Sequence, residues 1–159
     1  MPLMPDTDTF HPTHNIEAPA YDPVTLYSRL GLLRNARRPM ADEIRRGFPI
    51  GVIDRLNQEL EISQQNLLKI LALSSATLTR RRREQQTLNP QESGRVYRLV
   101  SVYRAAIELF EGDLMAARRW LKTPAKALGG HTPLEHIDNE AGADDVENLI
   151  GRLEHGILS

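Results

Sequence analysis

Ser63-Gln64-Gln65-Asn66-Leu67-Leu68-Lys69-Ile70-Leu71-Ala72-Leu73-Ser74-Ser75-Ala76-Thr77-Leu78-Thr79-Arg80-Arg81-Arg82-Arg83 is the stretch that decides the fold. Its spacing predicts two helices joined by a tight turn. Leu67, Leu68, Ile70 and Leu71 give the first helix an apolar face, and Ser63 stands where an N-cap hydroxyl belongs. Leu73 plugs the turn, Ser74 caps the second helix, and Leu78 is the inward residue of that helix. Ala76, Thr79, Arg80 and Arg83 then project from the opposite side. This is the layout of a helix-turn-helix whose second helix can enter a major groove. Four adjacent arginines on a short helix repel one another, and a phosphate partner gives them a physical reason that solvent does not. An ordinary helical hairpin with a solvated charge run is the bland alternative. The turn position usually held by glycine is Ala72, which lacks an easy left-handed conformation.

Charge is distributed unevenly around this motif. The formal net charge is -1, yet Arg29 to Arg104 holds 15 Lys and Arg against 7 Asp and Glu, whereas Gly130 to Ser159 holds 1 against 7. A basic middle suits phosphate, and an acidic C-terminal segment suits a basic protein surface or keeps itself off DNA. Cysteine is absent, which excludes a disulfide framework, a thiolate metal site and a cysteine nucleophile. Aromatic residues are too scarce for a single-strand stacking platform. No apolar run spans a membrane and no signal-like segment opens the chain, so a cytoplasmic location is expected.

Outward from the motif, every element reads as helix and no strand pattern occurs, giving an all-α class. Residues 1–21, with Pro2, Pro5, Pro12 and Pro19 and no apolar period, read as a disordered arm. Residues 22–88 read as a helical helix-turn-helix domain. Pro23 opens a helix with Leu26, Leu30 and Leu33. Met40 to Arg46 forms another, ended at Gly47-Phe48-Pro49, and Ile50, Val52, Ile53, Leu56 and Leu60 form the apolar face of a third. Residues 89–159 read as a second helical domain. Asn89-Pro90-Gln91-Glu92 starts a long helix to about Glu111, buried along Val96, Leu99, Val100, Tyr103, Ile107 and Phe110. Gly112-Asp113 breaks and recaps it, and Leu114 to Lys122 follows. Ala127-Leu128-Gly129-Gly130 is read as a flexible link, and Thr132-Pro133-Leu134-Glu135 as a capping box opening a short helix to about Ile137. A last helix is expected from about Asp144, with Val146, Leu149, Ile150 and Leu153 on one stripe and Gly156-Ile157 ending it.

Catalytic chemistry finds no foothold. No Ser/His/Asp or paired-carboxylate arrangement stands out, and His131, His136 and His155 lie on short capped elements. The five-residue spacing of His131 and His136 crosses a helix start and does not align them for a metal. His11 and His14 lie on the proline-rich arm, where solvent explains them. No catalytic residue, metal site or cofactor is therefore expected.

Thr77-Leu78-Thr79-Arg80-Arg81, Glu92-Ser93-Gly94-Arg95, Phe110, Ala117, Trp120-Leu121, Pro124, Leu128-Gly129-Gly130, Thr132-Pro133-Leu134, Gly142, Val146, Leu149 and Gly156 together resemble the Xre antitoxins of RES/Xre toxin-antitoxin pairs. The resemblance covers about Gly47 to Ser159. It implies a Cro/Xre-like helix-turn-helix followed by a toxin-binding domain shared with the MbcA and ParS groups. It further implies a RES-type toxin that degrades NAD, whose active-site cleft the antitoxin blocks, and repression of the shared operon. Carried onto this chain, Ser75, Ala76, Thr79, Arg80 and Arg83 would face operator DNA. The toxin-binding surface would include Glu147, Ile150, Glu154, Gly156, Ile157, Leu158 and Ser159, with Ile150, Leu153 and Ile157 offered as apolar anchors and acids at the rim, although Leu149 and Leu153 read better as packing within the chain and Ile157 and Leu158, beyond the helix stop, as interface. Trp120, Leu121 and Pro124 would support that surface from the core. One motif per chain offers few base contacts, so a homodimer or a larger toxin-antitoxin assembly on two half-sites is expected. A stand-alone helix-turn-helix repressor with a helical dimerisation domain is the alternative.

Overall fold

The computed structural model describes residues 22–35 and 37–156. The expected arm at residues 1–21 and the tail residues Ile157, Leu158 and Ser159 lie outside them. Asp22 caps α1 (Pro23–Leu30) by accepting from the Val24 amide, and Gly31 ends it in a left-handed conformation. Because that turn stops the helix at Leu30, the third buried leucine is Leu32, and the expected Leu33 is half-buried. α2 (Met40–Arg46) ends at Gly47, where a Cβ would meet the Leu88 carbonyl oxygen at 2.0 Å, so the chain needs glycine there. Glu43 of α2 is fully buried. Arg34 at 3.4 Å and Arg38 at 3.1 Å compensate its charge.

α3 (Val52–Leu60) buries Val52, Ile53, Leu56 and Leu60, as its stripe predicts. α4 (Gln64–Ile70) and α5 (Ser75–Arg83) follow. α6 (Pro90–Leu109) starts with the full reciprocal capping box between Asn89 and Glu92. α7 (Leu114–Leu121) is capped by Asp113. α8 (Pro133–His136) carries a second capping box between Thr132 and Glu135, and α9 (Glu140–Glu154) completes the described chain. Among the described residues there is no strand, one isolated bridge joining Pro49 to Thr87, and no helix long and apolar enough to cross a membrane.

Two expected elements differ. The segment read as a flexible link contains an ordered 3-10 turn, Lys126–Leu128, with Leu128 buried at its end. The Gly130 amide donates to the Ala125 carbonyl and the Ala125 amide to the His131 carbonyl, each at 3.0 Å. Glycines at 129 and 130 therefore serve positive φ angles in a closed loop. The last helix begins at Glu140, capped by Asn139, four residues before Asp144. Its first turns carry small residues, Ala141, Gly142 and Ala143, so no apolar stripe announced them.

α6 is the spine. It packs against α1, α2, α7 and α9, and the buried side chains form one continuous cluster from Leu26 to Ile150. Polar ties reinforce that continuity. Glu59 on α3 accepts from Tyr103 on α6 at 2.9 Å and from Arg29 on α1 at 2.7 Å, while Arg118 on α7 donates to the Glu59 carbonyl at 2.5 Å. Burial, then the Glu59 carboxylate, pushes the Tyr103 phenol up from its ordinary value.

Candidate DNA-reading and partner-binding surfaces

The α4-turn-α5 unit is built as its hydroxyls and leucines require. The Ser63 hydroxyl accepts from the Asn66 amide at 3.1 Å, and Ser74 accepts from the Thr77 amide at 3.1 Å. Leu67, Leu68, Leu71 and Leu73 are buried beneath the turn. Ala72 takes the left-handed conformation at φ 50°, and the Leu73 amide closes the turn on the Leu68 carbonyl at 2.9 Å. The alanine bears a steric cost there that glycine would escape.

α5 buries Leu78 alone. Ser75, Ala76, Thr79, Arg80 and Arg83 are all exposed. The Thr79 hydroxyl donates to the Ser75 carbonyl at 2.9 Å, which leaves its oxygen free to accept. The four arginines separate into two kinds. Arg81 pairs with Glu92 of α6, and Arg82 pairs with Asp54 of α3 at 2.5 Å. Arg83 lies 3.9 Å from Glu84 and is 74% exposed, and Arg80 has no ion-pair partner among the described residues. Mutual repulsion of four free cations thus overstates the demand for phosphate, since two are neutralised internally. The acids responsible stand 11 and 28 residues away in sequence, and no local pattern could have revealed them.

At the other end, α9 divides by burial. Val146, Leu149 and Ile150 face inward, and Ile150 is 3% exposed. It therefore belongs to the core of this chain and is no exposed anchor. Leu153 is partly buried against the same core. Glu140, Asp144, Asp145, Glu147 and Glu154 are exposed, giving the outer face an acidic character, and Gly156 turns the chain at φ 66°. Leu121 is buried and Trp120 half-buried in the core, but Pro124 is exposed, because it follows the end of α7 and lies outside the cluster.

Close backbone approach joins α8 to α9. A Cβ on Gly142 would fall 1.7 Å from the His136 carbonyl oxygen, and His136 Nε2 lies 2.9 Å from Asp145 Oδ2. The rings of His131 and His136 are 6.2 Å apart, nearer than their spacing suggested, because the α8 start folds them together. No group of three or more metal-ligating side chains occurs among the described residues. The Glu135 carboxyl accepts from the Thr132 amide at 3.0 Å, and that bond holds it below the ordinary carboxylate range. A cavity of about 830 Å³ opens between the two halves, lined by Ile62, Asn66, Lys69, Lys122, Leu134 and Glu135 among others.

Residues 39–101 match the antitoxin Xre-like helix-turn-helix domain, and residues 105–156 match the antitoxin Xre/MbcA/ParS C-terminal toxin-binding domain. An antitoxin Xre of Yersinia enterocolitica is 38% identical over 150 residues, covering 94% of this chain and 98% of that protein. The chain belongs to the Xre antitoxin family. A second antitoxin Xre, from Photorhabdus laumondii, is 34% identical over 94% of this chain and 98% of its own length. A Prs ADP-ribosylating antitoxin of a Sphingobium strain is 24% identical over 73% of this chain and 78% of its own. Within this Xre antitoxin the first match takes in α2 to α5 and most of α6. The second takes in the end of α6 with α7 to α9, so the two regions meet inside one helix.

Proposed function

We propose that this antitoxin binds a RES-type toxin that degrades NAD, covers its active-site cleft, and represses the operon that encodes both. The observation that carries the proposal is the pairing of an exposed, partly unneutralised reading helix with a matched toxin-binding region whose outer helix is acidic. A nucleotide-binding cleft carries cationic groups for phosphate, and an acidic element docked over them excludes water and substrate together. Inhibition then requires occlusion and no chemistry from the antitoxin. The kinship with an antitoxin named as ADP-ribosylating supports a NAD-consuming partner, because ADP-ribosyl transfer draws on NAD.

In this reading Ser75, Ala76, Thr79, Arg80 and Arg83 face the operator. Glu147, Glu154 and Gly156 belong to the toxin-facing surface together with Ile157, Leu158 and Ser159, and Ile150 holds that surface in place. A homodimer presents two reading helices to two half-sites, since a single helix-turn-helix makes few base contacts.

Co-expression with the neighbouring gene product tests the proposal. NAD should collapse when the neighbour is expressed alone, recover when this chain is added, and collapse again when residues 147–159 are deleted. A neighbour that neither depletes NAD nor co-purifies with this chain would leave a stand-alone repressor as the better account.

A further inference from the structure

With Leu78 as its one buried side chain, α5 has no apolar stripe to set its angle against the rest of the protein. Ion pairs in its C-terminal half take that role. Arg82 reaches Asp54 on α3, an exposed acid, and Arg81 reaches Glu92 on α6. The second pair is nearly sealed from solvent, with side chains 12% and 10% exposed. Its attraction is therefore screened far less than that of a surface pair.

Glu92 has a second duty. Its Oε2 accepts from the Asn89 amide at 3.2 Å and its Oε1 from the Asn89 side-chain amide at 2.9 Å, closing the cap of α6. The adjacent Ser93, fully buried, accepts from the Phe48 amide at 3.0 Å and locks the same turn onto the loop after α2. One carboxylate thus grips the first turn of the spine helix and the reading helix at once. A group anchored on both sides can transmit orientation, whereas a freely rotating surface acid cannot.

We propose that Arg81 and Glu92 are a positioning pair for operator recognition. Arg81 does not touch DNA; it sets the direction in which Ser75, Ala76, Thr79 and Arg80 project. This rests on the operator reading above. The pair also ties the reading helix to α6, the helix against which α9 is packed.

The salt dependence of operator affinity separates positioning from contact, because each phosphate contact adds about one to the slope of log affinity against log salt. Full-length R81Q and E92Q, checked for native helicity, should each bind the operator about tenfold more weakly with the wild-type slope. The double variant should be no weaker than either single one. Glutamine at 92 keeps an acceptor for the capping box while removing the charge, so E92Q carries the measurement even if R81Q folds poorly. R80A and R83A should each lower the slope by about one. A slope lowered by R81Q would make Arg81 a phosphate ligand and overturn the proposal, and so would wild-type affinity in both R81Q and E92Q. Wild-type affinity in R80A and R83A would instead remove the operator reading itself.

Discussion

Gly142→Ala and Gly151→Ala are the same substitution on the same helix, and they should act with opposite sign. Alanine is favoured over glycine within a helix by about 1 kcal/mol, so propensity pushes both toward stability. Their surroundings differ. A Cβ at 151 meets nothing within 4 Å, while one at 142 lies 1.7 Å from the His136 carbonyl oxygen and 2.9 Å from its carbon. Real Cβ contacts stay beyond 3.0 Å, so α8 or α9 must retreat by about 1.3 Å, and the obstacle is backbone that cannot swing aside. That retreat opens the seam holding Leu134, Ile137, Ala143 and Val146 and stretches the His136 to Asp145 bond. Overpacking of this kind costs about 1–3 kcal/mol. Against the propensity gain, the net loss is up to about 2 kcal/mol, or up to roughly 8 °C in melting temperature for a chain of this length. Gly151→Ala should melt up to roughly 4 °C higher. Thermal and urea unfolding followed by circular dichroism on both variants is the assay. If Gly142→Ala gains as much stability as Gly151→Ala, the close α8-α9 crossing is refuted.

Ala72→Gly should raise the unfolding free energy modestly, by up to about 1 kcal/mol, and the urea midpoint with it, because the left-handed strain it relieves exceeds glycine's entropy cost in a turn; a lower midpoint would contradict the strained turn. Ile150→Ala should cost roughly 2–5 kcal/mol of stability. Glu147→Ala should change stability by under about 0.5 kcal/mol and weaken the toxin complex, and the reverse pattern in unfolding and pull-down measurements would invert the assignment of α9's faces. The Glu135 carboxyl, held below the ordinary 4.5 by the Thr132 amide, should titrate by NMR with a lowered midpoint. Since the folded value is depressed, the stability contributed by this cap is fully present above the unfolded value and lost as pH falls through the folded one. An unperturbed midpoint would mean that the α8 capping box is open in solution.

What the sequence made legible follows from how local each signal is. Ser63, Ser74, Asn89, Asp113 and Thr132 all cap the helices expected of them, because an N-cap depends on an oxygen and an amide two or three residues away. The stripes of α3 and α6 were equally readable, since burial of Val52, Leu56, Val96 and Tyr103 repeats at the helical period. The first turns of α9 carried no such signal, because Gly142 and Ala143 are buried by close backbone approach and not by large side chains. The site divided likewise. Exposure of Ala76, Thr79, Arg80 and Arg83 follows from Leu78 pointing inward, whereas Ser75 stands three residues before Leu78 and the fates of Arg81 and Arg82 depend on acids on other helices. Ile150 shows the same limit, since periodicity places it on an apolar stripe without saying whether this chain or a partner covers it.

Where the reading half ends is decided by packing across Leu88 and Asn89. A fragment ending at Leu88 retains all of α4 and α5 but loses the wall that α6 supplies. Val96, Leu99, Val100 and Tyr103 are each buried, Ser93 satisfies the Phe48 amide, and Glu92 holds Arg81. Burying one such apolar side chain is worth about 1.5–3 kcal/mol, and although α6 shares this burial with α7 and α9, the part made against residues 22–88 is a large share of the stability margin of a small domain, about 5–15 kcal/mol. Residues 22–88 alone should therefore show no cooperative unfolding transition, and residues 22–109, which keep all of α6, should recover one. Cooperative unfolding of the shorter fragment would mean that α6 serves the C-terminal region alone, and the route from α9 through Glu92 to the reading helix would lose its physical basis.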